Sequence, residues 1–571
     1  MKCRALMMLA GAGLLAALGA PRRAEACGGF FCSTQPIDQS GEQIIFSMTA
    51  NHITAHVQIS FQGQAKDFAW VVPVQSKPTL SIGSQAVFSA LQAQTQPQFQ
   101  VDWKFDSNYC GGFRGGPVSA PTAGGTGNGA AEGDKGVTVV DMREVGPYET
   151  VTLEATDPEA LVKWLNKNGF NQPPAAEPLI KHYVTLGMYF VALKLQQNAG
   201  VGEIQPIVLD MDNPEPCVPL ILTRVAALPD MPVYTYVLSK ARVFPKNWFH
   251  VVVNERKIDW LNGGTNYRKV VTDAVNEAAG HGFVTEFAGK SDFLKNTIYQ
   301  EGRWNTASLA KTLDPAQFVQ QLLQMGFPRD QSMQALLRKY IPMPDALKAM
   351  GLSEQAFYNN LSAYAAQLAG QMFDAAGFAA ELEMRVVEPL RKAQAMVDSQ
   401  QYLTRLFSTV SPDEMNRDPI FHMNPGLPSV SNIHRALGSA SCSMNGDVSN
   451  IRLTLESGGE PILIPGPFQL YNRPPTWNFA AKEPSALRIE LVGPEGDPSI
   501  YSRAQAQVAD KYLDMEEPEA VRGRQIPVAG TTPPATGSSS SCSFGGGASG
   551  ALGLGLAAVA LAVFRGRRRR G

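Results

Sequence analysis

Residues 53–74 read ITAHVQISFQGQAKDFAWVVPV, and this stretch decides the class of the fold. Ile53, Ala55, Val57, Ile59 and Phe61 alternate with Thr54, His56, Gln58 and Ser60. A period of two places the two sets on opposite sides of an extended chain, so the spacing predicts a half-buried strand with one polar face. Residues 68–74 then form an unbroken apolar run. Such a run suits a strand covered on both faces, and we expect a central strand that ends at Pro73, whose nitrogen cannot donate to a ladder.

Outward from this pair, further strands are expected near 137–140, 148–154, 189–195, 207–211, 220–223, 233–238 and 249–253. A helix is marked over 157–168, with Asp157 as cap, Pro158 in the first turn and Gly169 as the exit. A second, short helix fits 84–92. The Gly/Ala/Pro/Thr stretch at 115–136 has no periodicity and reads as a surface loop.

From 267 to 406 the pattern turns helical. Val270, Val271, Ala274, Val275 and Ala278 form one stripe, and Phe318, Val319, Leu322 and Leu323 another. The second repeats the same grammar, Asp314-Pro315 at its head and Gly326 at its end. A helix over 382–397 should kink at Pro389. After a Pro/Asn-rich connector at 411–432, strands return, as at 451–455 and 487–491. The expected class is α+β: a β-rich module (27–265), a helical region (266–410), then a connector and small β module (411–522). Whether the two β regions share one sheet is open at this level.

The 571 residues are 44% hydrophobic and 18% charged, a balance that suits a folded body too long for one core. Nine of the 49 basic residues and one of the 51 acidic ones lie at the two ends, leaving the body near −10. Without a basic run it lacks the footprint that nucleic acid requires, and nucleic acid is excluded as a partner.

The ends carry an address. Lys2 and Arg4 precede an apolar run at 5–20, followed by Ala24-Glu25-Ala26. That is a signal peptide, residues 1–26, with cleavage between Ala26 and Cys27. A lipobox reading of Cys27 fits poorly, because Ala24 and Glu25 stand where an apolar and a small residue are wanted. At the other end a flexible linker (523–543) holds Cys542, followed by a small-residue apolar segment (544–564) and RGRRRRG (565–571). The segment is long enough to cross a bilayer, and the arginines would hold the tail in the cytoplasm.

This tail resembles the myxobacterial-type C-terminal sorting signal (MYXO-CTERM): a Ser/Gly-flanked Cys, a transmembrane helix and an Arg cluster. The resemblance implies a sorting protease that cuts near Cys542, lipid attachment there, and passage to the cell surface; a plain single-pass anchor is the alternative. The mature start Cys27-Gly28-Gly29-Phe30-Phe31-Cys32, the 54–74 stretch and EVGPYETVTLEATDPEAL (144–161) are similar to a bacterial family of exported proteins of unassigned function. That resemblance implies an envelope setting and supplies no catalytic residue.

In an oxidising envelope Cys27, Cys32, Cys110, Cys217 and Cys442 read as disulfide candidates rather than metal ligands. Cys27–Cys32 and Cys217–Cys442 are possible pairs, and Cys110 is an alternative partner for either of the first two. Paired C-x-x-C spacing is absent, so no zinc site is expected. His52 and His56 would sit about 13 Å apart at ~3.3 Å per strand residue, too far for one ion, and read as solvated. His182, His250, His281, His422 and His434 form no cluster in sequence. Gly289-Lys290-Ser291 lacks the glycine and the preceding strand of a phosphate loop, and Gly125-x-Gly127-x-Gly129 lies in the low-complexity insert. Asp210-Met211-Asp212-Asn213 follows a strand and could offer oxygens to calcium, but reads as a turn. Trp103, Trp248, Trp260 and Trp477 could line a sugar or peptide groove, with core packing the commoner fate.

The sequence therefore predicts a membrane-anchored or lipid-anchored envelope protein without a cofactor. Its role is structural or binding, leaning away from catalysis. The alternatives are an extracellular hydrolase using two carboxylates and a disulfide-linked adhesion or scaffold protein. The catalytic residues, if any, and the protein or glycan partner are not specified by it.

Overall fold

The computed structural model describes residues 38–62, 69–105, 137–170, 172–196, 204–212, 215–327, 331–369, 372–444, 447–469 and 482–521. In chain order the strands are β1 (Asp38–Met48), β2 (Ile53–Gln62), β3 (Ala69–Val74), β4 (Thr79–Ile82), β5 (Gln98–Phe105), β6 (Val137–Val145), β7 (Tyr148–Ala155), β8 (Tyr189–Leu195), β9 (Ile207–Met211), β10 (Met231–Ser239), β11 (Val243–Pro245), β12 (Phe249–Val253), β13 (Gly282–Lys290), β14 (Tyr402–Val410), β15 (Phe421–Met423), β16 (Ile433–Cys442), β17 (Asp447–Leu455), β18 (Ile462–Gln469), β19 (Ala486–Leu491) and β20 (Ser499–Tyr501). The α-helices of eight residues or more are α1 (Gln85–Thr95), α2 (Pro158–Lys167), α3 (Glu177–Thr185), α4 (Tyr267–Glu277), α5 (Pro315–Gln324), α6 (Gln331–Tyr340), α7 (Ala375–Leu382), α8 (Glu388–Asp398) and α9 (Arg503–Val521).

A ten-stranded sheet in the order β20-β19-β12-β13-β14-β10-β1-β2-β9-β4 organises the molecule. The two β regions do share it, since β19 pairs antiparallel with β12. They also share the sheet β18-β17-β16-β5, in which β16 runs parallel to β5. The mixed α+β class stands, with a β-rich N-terminal region and helices in the middle.

β2 carries the expected alternation. Ile53, Ala55 and Val57 join Ile44, Phe46, Leu209 and Met211 on one sheet face and pack on Trp70, Val72 and Val74 of β3 and Val191, Leu193 and Leu195 of β8. That is a β-sandwich, closed by the four-stranded sheet β3-β8-β7-β6. Both layers follow from one rule, that an apolar strand face must be buried against another. The opposite face of the large sheet, at Ile45, Tyr236, Leu238 and Leu403, packs against side chains of α1 and α5–α8.

Several expectations are corrected. β3 is an edge strand, not a central one, and it runs through Pro73 to Val74. Its residues are all buried because Trp70, Val72 and Val74 face the large sheet while Ala69 and Val71 face α2 and α3. Residues 220–223 form a helical turn instead of a strand. β13 and β14 are strands inside the stretch read as helical, 266–410. At the expected kink, a π-helical turn at Glu383–Val387 links α7 to α8, and the Arg385 carbonyl, four residues before Pro389, accepts from Gln205 Nε2 at 2.9 Å in place of the missing N–H.

The helix signals read well. Asp157 accepts from the Glu159 amide at 3.0 Å and Gly169 takes φ +76°, as a left-handed exit requires. Asp314 accepts from the Gln317 amide at 2.9 Å. Asp314→Ala is expected to cost about 1 kcal/mol, read as a lower urea midpoint, because it leaves first-turn amides without that acceptor. Among the described residues no helix is long and apolar enough to cross a membrane. The signal peptide, the linker with Cys542, the 544–564 segment and the Arg tail lie outside those residues, as do Cys27, Cys32, Cys110 and Trp477.

Candidate binding site

Strand alternation gives Glu42 the same face as Ile44 and Phe46, so a carboxyl projects into the apolar layer between the two sheets. A β-bulge sets its surroundings. The β1–β2 register shifts between Gln39 and Gly41, and the extra residue lets Gln39 and Glu42, three apart, meet on one side. Gln39 Nε2 donates to Glu42 Oε2 at 3.1 Å. Gln39 is itself anchored, its amide donating to Ala226 O at 2.9 Å.

Between the sheets lies a cavity, part of it continuous with solvent. Its floor is Ile44, Phe46, Ile53, Ala55, Val57, Leu209 and Met211; its other wall is Trp70, Val72, Pro73, Val74, Gln75 and Met188. Glu42 sits in it at 2% exposure. Glu215, Pro216, Cys217 and Pro219 form the rim. The rim is held by Phe421 N to Pro216 O at 3.0 Å and Val218 N to Pro419 O at 3.1 Å.

The two carboxyls differ in state. Burial pushes Glu42 up to about 7, with the Gln39 hydrogen bond pulling back. Burial also raises Glu215, but hydrogen bonds from His422 and Lys246 outweigh it and hold the carboxyl below its ordinary value. Lys246 Nζ donates to Glu215 Oε1 at 2.7 Å, and the His422 ring meets the same oxygen. At neutral pH one carboxyl is ionised and neutralised by its partners. The other is poised near its midpoint.

The histidines divide differently from the sequence reading. His56 is buried, 3% exposed, because the helical layer covers the face read as polar; burial drives its ring down to about 4. His52 precedes β2 and lies 2.6 Å from Asp210 Oδ1 and 3.0 Å from Asp212 Oδ1, hydrogen bonds that raise it above its ordinary value. Both aspartates of the calcium-like turn are thus engaged by an imidazole. Among the described residues no group of three or more His, Cys, Asp or Glu could hold a metal ion.

A hydroxyl–imidazole–carboxylate line, invisible in sequence, joins β13, β12 and β19. Thr285 Oγ1 lies 3.0 Å from His250 Nε2, and His250 Nδ1 lies 2.9 Å from Glu490 Oε2. All three are under a tenth exposed, and Arg242 donates to Thr285 Oγ1 at 3.2 Å. Buried this way, the line ties strands together. His281 similarly bridges Asp510 of α9 and Glu414 O, and His434 meets Glu255 at 2.7 Å. Trp248 and Trp260 are core residues, and Trp103 stacks on Phe105 along β5. Gly289 and Lys290 close β13, and Ser291 donates to Gln400 O, so that segment is strand end.

The cysteines also need a correction. Cys442 is disulfide-bonded, whereas Cys217 keeps its thiol at the cavity rim. The Cys217–Cys442 staple is therefore not formed.

Residues 21–301 match a bacterial family described as an uncharacterized protein conserved in bacteria (DUF2330). The match spans β1 to β13, and so includes both walls of the cavity, with Glu42 and Glu215. No curated protein and no solved structure matches the chain.

Proposed function

We propose that this is an exported bacterial envelope protein whose body binds a small ligand with an apolar surface between its two sheets. The carrying observation is the cavity itself. Its largely apolar wall, with a few polar groups converging, suits a small-molecule site. Export is supported by the leader at 1–26 with its Ala26–Cys27 junction, by the tail built around Cys542, and by a disulfide at Cys442, a bond that persists in oxidising compartments.

The test is saturable binding of a neutral, environment-sensitive probe, N-phenyl-1-naphthylamine, to the full-length protein. Ala55 is 2% exposed on the cavity floor. Ala55→Phe should fill the space and weaken the probe at least tenfold, with thermal melting confirming that the variant is folded. Unsaturable binding, or a folded variant that binds as before, sinks the reading.

The carboxylate hydrolase remains the second reading, favoured by one observation: Glu42 and Glu215 line one cavity with their proton affinities pushed apart. Glu215 is already engaged by Lys246 and His422, which suits anchoring the rim better than activating water. Turnover of ester or glycoside substrates that Glu42→Gln and Glu215→Gln each abolish would favour catalysis.

A further inference from the structure

The lining of the cavity is one-sided in charge. Among the described residues it contains two carboxyls, Glu42 and Glu215, and no Lys, Arg or His side chain. Glu215 has a counter-ion in Lys246 and a hydrogen-bond partner in His422. Glu42 makes no ion pair among the described residues; its hydrogen bond there comes from the neutral Gln39 amide. The neighbouring Gln39 Oε1 is buried and has no hydrogen-bond partner among those residues. A buried carboxylate without a cation, next to a buried carbonyl without a donor, is costly in an apolar layer. Both costs fall if an incoming group brings positive charge and several N–H donors. Phe46 on the floor and Trp70 on the other wall add aromatic rings to the lining, and such rings attract cations at close range.

We infer that the ligand is an organic cation with an apolar body, such as an alkyl amine, its ammonium set against Glu42 and its chain against Trp70, Phe46 and Ile53. The inference rests on the binding reading above and adds the charge of the ligand. An anionic amphiphile would bring a third negative group into a space that already holds two carboxyls. A neutral one such as an alcohol would gain apolar burial and a single O–H donor, without the charge.

The experiment is displacement of N-phenyl-1-naphthylamine from the full-length protein at pH 7.5 by octylamine, 1-octanol and octanoate, which share one chain and differ in head charge. Octylamine should bind at least tenfold tighter than 1-octanol, with octanoate weakest. In Glu42→Gln the ratio of amine to alcohol should fall to about one; the ratio is the readout, and thermal melting shows that the variant folds. Equal binding of the three, tightest binding of octanoate, or an amine preference that survives in Glu42→Gln overturns the inference while saturable probe binding keeps the site. If the probe fails as well, the binding reading falls and takes the inference with it.

Discussion

Arg405→Met should destabilise the protein by about 3–5 kcal/mol, the cost of stranding a buried charge partner. Arg405 and Glu286 are 3% and 2% exposed at the centre of the large sheet, with Arg405 Nε donating to Glu286 Oε2 at 2.5 Å. The guanidinium also lies over the rings of Tyr234 and Tyr236, 5.2 and 5.5 Å from their centroids. It reaches Thr95 Oγ1 at the end of α1, at 3.4 Å. Burial raises Glu286, against the opposing pull of Arg405 and Tyr267, so without Arg405 it would be held still higher and take up a proton. Proton uptake limits the loss, and the loss should therefore grow with pH. Replacing the pair together, Arg405→Met with Glu286→Leu, should recover most of the stability, because a buried pair and an apolar pair of similar volume are close in free energy. Urea melts of the two single variants and the double variant give the coupling. A double variant no better than the sum of the singles would sink this account.

That ion pair also explains what the sequence could and could not reveal. Helix boundaries were legible because their signals are local: an Asp cap, a Pro in the first turn, a Gly beyond the end. The alternation of β2 was legible for the same reason. β13 and β14 were not, since Glu286 sits at a register shift that breaks the period of two and Arg405 interrupts the apolar face of its partner strand. Each charge is explained only by the other, 119 residues away. The solvated reading of His56 failed because alternation marks two faces but does not say what covers the polar one. β1 hid for a related reason: its first residues, DQSGEQ, carry no apolar alternation, and the bulge that turns Gln39 toward Glu42 has no sequence mark. The candidate site was therefore beyond a reading by motif. It is an apolar cavity with one carboxyl buried inside it, contributed by β1, and a second at a rim braced by residues near 246 and 422.

Glu42→Gln should stabilise the unliganded protein by roughly 3 kcal/mol at pH 8 and change it little at pH 4. The sign follows from proton uptake. Glu42 titrates near 4.5 when exposed and at about 7 in the fold, so between those values the folded state holds a proton that the unfolded state has lost. Stability falls as pH rises through that window, and above it the full cost of a buried carboxylate is present. His56 acts in the opposite sense. Burial lowers it from 6.5 to about 4, so its unfolded form takes up a proton first and stability falls as pH drops from 6.5 toward 4. The two groups stand in adjacent strands, on opposite faces of one sheet, and their slopes largely offset each other between pH 4.5 and 6.5. In that window the wild type should show a flat contribution from the pair. Glu42→Gln removes one slope and leaves the His56 rise up to pH 6.5, with a plateau beyond it. His56→Gln leaves the mirror image, a decline that continues to about pH 7. Glu215 and Cys217, the other titratable residues on the cavity among those described, are unchanged in both variants. Urea melts at pH 4, 5.5, 6.5 and 8 separate the three curves. If Glu42→Gln runs parallel to the wild type at all four, Glu42 is ionised in the fold at low pH, and the cavity is wetter than its apolar walls imply.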